Sequence, residues 1–233
     1  MNFIRVSSVL IRGCILSLLL TNIGLSNQTA VGDDFLGHSF EQWSEMLNSS
    51  QQTERTYAAW ALSQIATHSA GKPNDQVYFA ELVKLIHDND PTVRYWGVLG
   101  LAGYANRLDA KDGGRTAVAN SVAPLLDDNA PAPRIAAAQT IGKLGQPGKA
   151  LPVLVAAMSD PQDSVRIQAA TALEKLGDAA RPAIGTLEKG TSDSSEYVKR
   201  ISERSLESLD PNRKNTEPAA KAKKNKAKAK KTA

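Results

Sequence analysis

The stretch at residues 160–177 reads DPQDSVRIQAATALEKLG, and near-copies of it occur four more times along the 233-residue chain. Each copy carries a cation near its start, and the aligned cations are Arg55, Arg94, Arg134, Arg166 and Lys199. Three residues after each cation stands a small residue, namely Ala58, Gly97, Ala137, Ala169 or Ser202. Seven residues after it stands a branched aliphatic residue, and the set is Leu62, Leu101, Ile141, Leu173 and Leu206. The column at ten residues holds Ile65, Tyr104, Leu144, Leu176 and Leu209. Offsets of 3, 7 and 10 lie on one side of a helix, so each copy predicts an amphipathic helix.

The copies recur with a period of roughly 32 to 40 residues, and self-similarity at such a period is typical of helical repeats that stack into a solenoid. A shorter apolar helical pattern precedes each copy, which pairs the copies into helical hairpins. We therefore predict an all-α fold, a right-handed α-α superhelix of about five hairpins. The hairpins are predicted at about residues 35–70, 74–105, 114–145, 149–177 and 180–209.

Polar caps and prolines predict where several of these helices begin and end. Ser39 is the predicted N-cap of the first helix, because a serine hydroxyl accepts a hydrogen bond from an unpaired N–H there. Pro91 suits the first position of a helix, where its missing N–H has no partner to lose. Pro124 stands late in an apolar stretch, where it predicts a bend or an early end. The predicted second helices include residues 53–66, 131–144 and 198–209.

The repeated order of an Asp, a Val-Arg step and a small-residue helix ending in Leu-Gly resembles the HEAT-repeat family, in its short phycobilisome-lyase-like bacterial form. The residues that match this motif in full are Asp160, Val165, Arg166, Leu173, Leu176 and Gly177, and those that match its first half are Asp88, Pro91, Val93 and Arg94. The departures are Ser49, Glu54, Pro133 and Lys199. The resemblance covers about residues 35–209 and implies a stack of helical hairpins that holds partners.

The segment at positions 1–26 has the layout of a secretory signal peptide. Arg5 and Arg12 precede or flank an apolar run from Cys14 to Leu20, and no acidic residue is present. A membrane span needs about 20 residues, and this run is shorter. We therefore predict a cleaved signal at residues 1–26 and no transmembrane segment in the mature chain. The alternative is an uncleaved anchor. Residues 27–34 are the predicted linker, and the predicted location is the periplasm or cell envelope, with secretion as a further option. Cys14 is the only cysteine, so cleavage would leave no disulfide or thiol chemistry.

Residues 211–233 contain nine Lys or Arg, one Glu and no large apolar residue. Such a segment cannot bury enough surface to offset its ordering entropy, which predicts a disordered Lys-rich tail. The tail lysines singled out are Lys221, Lys223, Lys224, Lys226, Lys228, Lys230 and Lys231. The tail carries a net charge of +8 and the predicted signal peptide carries +2, whereas the whole chain carries +4, so residues 27–210 carry −6. The repeats are therefore acidic, which argues against a basic nucleic-acid-binding domain and against specific nucleic-acid binding.

The second helices also present a row of side chains at offsets 2, 5 and 9 from the aligned cation, pointing away from the core stripe. We predict that this row faces the inner curve of the solenoid and binds a partner. The candidate binding residues are Tyr57, Trp60, Gln64, Trp96, Gln139, Lys143, Gln168 and Lys175. The aromatic residues would anchor a partner peptide. The alternative is that Trp60 and Trp96 pack against each other or under a loop.

An acidic residue stands six positions before most of the aligned cations. We predict that these residues form a structural ladder that bonds each turn to its neighbour, and that they are not catalytic. The ladder residues are Asp88, Arg94, Asp128, Arg134, Asp160, Arg166, Asp193 and Lys199. Each Asp also lies near a helix N-terminus, where a negative charge is favourable.

Sequence signatures of enzymatic chemistry are few. The histidines His38, His68 and His87 form no i, i+4 pair and no His-Glu dipeptide. The sequence has no Gly-x-Ser-x-Gly elbow, phosphate-binding loop or dinucleotide fingerprint. We therefore predict no catalytic residue, no cofactor and no metal site. A lyase-like or other enzyme of the repeat family is the less favoured alternative.

Two functional hypotheses follow. The first is an exported, non-enzymatic scaffold that binds a protein or peptide partner of unknown identity on its inner surface. The second is a polyanion or cell-surface binder that acts through the Lys-rich tail, since polycations bind polyanions by releasing counterions.

Overall fold

The computed structural model describes residues 34–72, 75–109 and 113–211, and all of them lie in one compact unit that begins at Asp34. This part of the chain is helical apart from turns, short connections and one isolated β-bridge between Phe35 and His38. The predicted all-α class is therefore confirmed. None of the described helices combines the length and apolar composition needed to cross a membrane. The predicted signal peptide, nearly all of the linker and the tail beyond residue 211 lie outside the described residues.

The α-helices of the described residues form five consecutive hairpins. The first helices are α1 (Phe40–Met46), α3 (Asp75–Leu85), α5 (Gly113–Val122), α7 (Pro147–Ala157) and α9 (Ile184–Gly190). The second helices are α2 (Gln52–Ser69), α4 (Pro91–Arg107), α6 (Pro131–Lys143), α8 (Asp163–Leu176) and α10 (Glu196–Leu209). Two 3-10 segments, Ala123–Asp127 and Gly177–Ala183, supplement the third hairpin and the last connection.

The predicted helix ends agree with the structure at three positions. Ser39 caps α1 in a reciprocal capping box, because its hydroxyl accepts from the Gln42 N–H while the Gln42 side chain accepts from the Ser39 N–H. Pro91 is the first residue of α4, and the Asp90 carboxylate before it accepts from the Thr92 N–H at 2.8 Å. Helix α5 ends before Pro124, which lies in the 3-10 segment that follows, since proline removes a helical N–H donor.

The three columns of the repeat, at offsets 3, 7 and 10, lie in the core. All five members of the columns at offsets 3 and 7 are buried, and so are four of the five at offset 10, with Leu144 half-buried. The small residue at offset 3 lets the two helices of a hairpin come close. At Gly97, an added Cβ would stand 2.8 Å from the Leu85 Cβ and 2.9 Å from the Ile86 Cγ2, inside van der Waals distance.

The core has two clusters of buried side chains, which meet at α6. Ala136, Ala137 and Ile141 belong to the cluster of the first three hairpins, whereas Ile135 and Ala138 belong to the cluster of the last three. Leu126 packs against both. The apolar interior therefore continues from one end of the described stack to the other through the third hairpin.

Ser202 is the one polar residue in the column at offset 3. It is 0% exposed, and its Oγ has no hydrogen-bond partner among the described residues. We expect Ser202→Ala to raise the free energy of unfolding by about 1 kcal/mol, because it removes a desolvated hydroxyl without opening a large cavity. Chemical denaturation followed by circular dichroism measures the change. The matched control is Ser205→Ala, since the Ser205 Oγ donates to the Ile201 carbonyl at 2.8 Å and its loss should bring no gain. A destabilised Ser202 variant would argue against this account.

Candidate functional site

The second helices of the hairpins form one continuous layer. Each of α2, α4, α6 and α8 packs directly against the second helix that follows it, whereas the first helices pack mainly against second helices. The sequence pattern predicts that this layer faces the inner curve of the solenoid. We use the term inner wall for the side chains at offsets 2, 5 and 9 on these second helices.

An aromatic patch lies at the amino-terminal end of the inner wall. It comprises Tyr57, Trp60 and Trp96 of the wall, together with Phe35 and Tyr95, whose rings contact the two tryptophans. The Trp60 ring lies 5.2 Å from the Phe35 ring and 6.3 Å from the Tyr57 ring, both edge to face. The Tyr95 and Trp96 rings lie 5.6 Å apart. Tyr57 is 61% exposed, while both tryptophans are half-buried. The patch therefore offers ring surface that solvent reaches at the start of the wall.

The structure places both tryptophans partly against the core, and their predicted role as binding anchors stays a prediction. Trp60 and Trp96 do not pair with each other, although both pack against the amino-terminal core cluster. Phe35, from the segment before α1, packs on Trp60 and is held there by the Trp43 Nε1, which donates to the Phe35 carbonyl at 3.0 Å. Each indole thus packs against the core and also keeps part of its surface in solvent.

The carboxy-terminal half of the inner wall is mostly polar, apart from Ala136 and Ile201 at offset 2. Gln139 is half-buried, and Lys143, Gln168 and Lys175 are exposed. None of these four forms a hydrogen bond or ion pair between side chains anywhere in residues 34–211 as described. The predicted Gln64 lies half-buried on α2. The predicted binding residues therefore lie along one helical layer, with rings at one end and amides and amines at the other.

Two contacts of the predicted ladder are present. Arg94 donates from Nε and Nη2 to the Asp128 carboxylate at 2.7 and 2.8 Å, and Arg166 donates to the Asp193 carboxylate through two bonds of 2.9 Å. Each arginine also donates from Nη1 to the carbonyl six residues before it, that of Asp88 or Asp160, at 2.9 Å. One guanidinium therefore joins the turn of its own hairpin to the turn of the next, as a planar group with five donors can.

The ladder is interrupted at the third hairpin. Arg134 donates to the carbonyls of Asp128 and Asn129, and among the described residues it has no carboxylate within ion-pair distance. The carboxylate that the pattern would give it, Asp160, accepts from the Gln162 N–H at 2.9 Å. Lys199, in the last hairpin, pairs instead with Glu196 of its own helix at 3.1 Å.

The first rung of the ladder uses a different carboxylate from the one the pattern names. Arg55 lies 3.8 Å from Asp90, the N-cap of α4, which the sequence pattern did not select. Asp88 instead accepts from the Asp90 N–H at 2.7 Å through its side chain. The signal for Asp90 was present in the Asp-Pro step that starts α4, since Asp is a favoured N-cap before a first-turn proline.

The ladder predicts how stability depends on pH. Hydrogen bonds from Arg166 hold the pKa of Asp193 below its usual range, against the opposing effect of burial. Burial raises the pKa of Asp128, but bonds from Arg94 and the Ala130 N–H outweigh it, so this pKa is also lowered. The unfolded carboxylates bind protons more readily, so their contribution is present above about pH 4 and is lost as the pH falls through the folded pKa values.

We therefore expect the urea midpoint to fall steadily between about pH 5 and pH 2, where the unfolded chain takes up protons first. A doubly substituted Asp128→Asn, Asp193→Asn chain should be less stable at neutral pH and should show a shallower fall. Equal slopes for the two chains would count against the ladder as the origin of the acid sensitivity.

A groove of about 430 Å³ lies between α1 and α3 on the other layer. Its lining residues are Ser44, Glu45, Leu47, Asn48, Glu81, Lys84, Leu85 and Asp88. Lys84 pairs with Glu81 at 2.7 Å. Within residues 34–72, 75–109 and 113–211, no group of three or more His, Cys, Asp or Glu side chains is placed to hold a metal ion.

Sequence reasoning placed Arg204 on this surface but missed Phe35 and Glu174. Phe35 lies outside any helical pattern, so nothing in the sequence placed it on Trp60. The contact between Glu174 of α8 and Arg204 of α10 is a two-bond ion pair across adjacent second helices, and it raises the pKa of Arg204 through the Glu174 hydrogen bond. Their spacing of 30 residues is close to the repeat length, which is the signal that could have found the pair.

Comparison with known proteins supports the repeat assignment. Residues 119–207 match the family model of HEAT repeats, while no curated protein matches the chain. A crystal structure of an engineered protein is similar, with 21% identity over 73% of this chain and 78% of that one and a TM-score of 0.52. The complex of CpcE and CpcF of phycocyanin lyase from Nostoc sp. PCC7120 is also similar, with 18% identity over 80% of this chain and 71% of that one and a TM-score of 0.54. At these identities the two structures show the fold alone. Residues 119–207 are therefore similar to HEAT repeats, and the described residues form a stack of helical hairpins.

Proposed function

We propose that the chain is an exported, non-enzymatic scaffold that binds a protein or peptide partner on its inner wall. The observation that carries the proposal is the inner wall itself. Its side chains at offsets 2, 5 and 9 remain half-buried or exposed on α2 and α8, from Tyr57 to Lys175, although the helices beneath them are closely packed. Repeat solenoids use such extended inner surfaces for binding.

The aromatic patch supports a protein partner in particular. Tyrosine and tryptophan supply large contact areas at low entropic cost and are over-represented among residues that dominate protein interfaces. The Tyr57 side chain is mostly exposed to solvent, while its neighbour Trp60 packs against the core cluster. An exposed ring beside a side chain that packs against the core can bind a partner's side chain with little loss of conformational entropy.

Site-specific photo-crosslinking tests the location of the interface. A photoreactive phenylalanine analogue at Tyr57, which is 61% exposed, is expected to capture a discrete partner in cells. The same analogue at Val77, which is 57% exposed on α3 of the other layer, is the matched control and should capture none. Equal capture at both positions would show that the inner wall is not the binding surface.

The tryptophans provide the second test, on the captured partner. We expect Trp60→Ala with Trp96→Ala to reduce crosslinking from Tyr57 at least about tenfold, as loss of a central anchor does. Circular dichroism and thermal unfolding serve as the control for folding, because both rings also touch the core. Retained capture in a folded double variant would remove the tryptophans from the site.

Export is proposed from the segment at positions 1–26 and has a direct test. Mass spectrometry of the chain recovered from cells is expected to find a mature terminus close to residue 27, because a basic start and a short apolar run are typical of cleaved signals. An intact Met1 in the recovered chain would contradict export by this route.

The second candidate function is polyanion binding by the tail, and the net charge of +8 in residues 211–233 favours it. Binding to immobilised heparin is expected to fall steeply with salt, through counterion release, and to vanish when residues 212–233 are deleted. Binding that survives the deletion would belong to the acidic repeats and would dismiss the tail as the cause.

A further inference from the structure

The two halves of the inner wall differ in charge, and this difference limits the chemistry of the partner. At offsets 2, 5 and 9, the second helices α2 and α4 carry only uncharged side chains, including Tyr57, Trp60 and Trp96. On α6 and α8, the residues at offset 9 are Lys143 and Lys175, both exposed. These two amines stand at equivalent positions on adjacent packed helices, so their Cα atoms are separated by about 10 Å, the usual spacing of packed helices.

Neither amine is neutralised by the rest of the described chain. Among the ion pairs of residues 34–211 as described, none involves Lys143 or Lys175. The cation of the next helix in line, Arg204, is held by the Glu174 carboxylate through two hydrogen bonds. Lys143 and Lys175 are therefore positive charges on the wall without an ion-pair partner among the described residues. They stand in a segment, residues 27–210, whose net charge is −6.

The sign of this charge makes the chain's own tail an unfavourable occupant of this part of the wall. Residues 211–233 carry +8, and like charges brought together at an interface are unfavourable. Carboxylates on a partner that lies across α6 and α8 would complement these two amines. An aromatic or aliphatic side chain would complement the uncharged rings of α2 and α4.

We propose that the partner segment is an extended acidic peptide, with an apolar anchor at the aromatic patch and two carboxylates at Lys143 and Lys175. This inference rests on the proposed function. The repeat geometry sets the spacing. Trp96 stands at offset 2 and Lys143 at offset 9, a difference of seven residues along the helix axis, and the two lie on adjacent second helices. Their Cα atoms are therefore about 14 Å apart. An extended chain covers this distance in about four residues, or about six from Trp60, and the two amines are about three residues apart along it.

Random-peptide display against the full chain tests the inference. The expected enriched motif has an aromatic or large aliphatic residue, then Asp or Glu about four to six residues along, then a second acidic residue about three further on. A synthetic peptide with the enriched sequence, labelled with a fluorophore, is then titrated against variants of the protein by fluorescence anisotropy.

Charge reversal at the wall is expected to weaken this peptide's binding at least about tenfold in the Lys143→Glu, Lys175→Glu chain, because attraction becomes repulsion at two positions. The matched control is Lys149→Glu with Lys189→Glu, two exposed lysines on the first helices α7 and α9, and its affinity should stay within about twofold. The loss at the wall should shrink in high salt.

The outcomes separate the inference from the proposed function. An enriched motif without acidic residues, whose binding still requires Trp60 and Trp96, would overturn the acidic partner and leave the scaffold in place. Equal losses in the two double-lysine variants would do the same. Failure to enrich any motif that depends on the inner wall would overturn both.

Discussion

Gly100→Val is expected to lower the free energy of unfolding by about 3 kcal/mol, at the upper end of the usual cost of overpacking. Gly100 lies on α4 where that helix meets both α2 and α3. A Cβ added there would stand 2.5 Å from the Leu82 Cδ2, 2.9 Å from the Ser63 Cβ and 3.1 Å from the Ser63 Cα. Leu82 has a side chain that can turn, but the Ser63 Cα belongs to a packed helix and can move only if α2 moves.

The matched control for this substitution is Gly148→Val on α7. An added Cβ at Gly148 has no atom within 4 Å, so the change should stay within about 0.5 kcal/mol, as for most exposed positions. Urea unfolding of the three chains in parallel provides the measurement. If the Gly100 variant proved as stable as the control, the close approach of α4 to α2 would not exist in solution.

Asp128→Ala is expected to destabilise the protein by about 3 kcal/mol, since it leaves the charge of a largely desolvated guanidinium without its partner. The side chains of Arg94 and Asp128 are only 17% and 7% exposed, and the bidentate contact joins the second and third hairpins. The substitution also removes the acceptor of the Ala130 N–H, which is bonded at 2.8 Å.

Asp160→Ala is the matched control for the ladder, because Asp160 stands at the same position of the next repeat. Its carboxylate accepts from the Gln162 N–H but pairs with no arginine among the described residues. Its loss should cost about 1 kcal/mol, the usual worth of one hydrogen bond. Urea unfolding of both variants measures the difference, and similar losses would show that the Arg94 contact adds nothing to stability.

The periodic columns made the helices predictable. A residue such as Leu173 is buried because it lies on the same side of its helix as Ala169 and Leu176, and that relation depends only on local helical geometry. The family model covers residues 119–207, whereas the structure continues the same hairpins back to α1. The first two hairpins fit the repeat through their columns, although Ser49 and Glu54 depart from the motif.

The candidate site was predictable only in part. Helical periodicity correctly assigned Tyr57, Lys143 and Lys175 to the solvent side of their helices, but it carried no information on the neighbours of each side chain. Phe35 covers part of Trp60 because a tight turn at residues 35–38 returns the chain to the first hairpin. That contact depends on tertiary packing between segments that are separated by the whole of α1 and half of α2.

From its sequence alone, this protein was determined to be a stack of about five helical hairpins, with an acidic body and a basic end in its charge distribution. Periodicity is a local property of each helix, so five copies in register settle the fold without any long-range contact. Only the tertiary structure decided which carboxylate each arginine meets: Arg94 reaches Asp128, Arg55 reaches towards Asp90, and Arg134 meets none in the described chain. Those pairings depend on how one turn is set against the next, and shifts of an ångström or two separate a hydrogen bond from its absence.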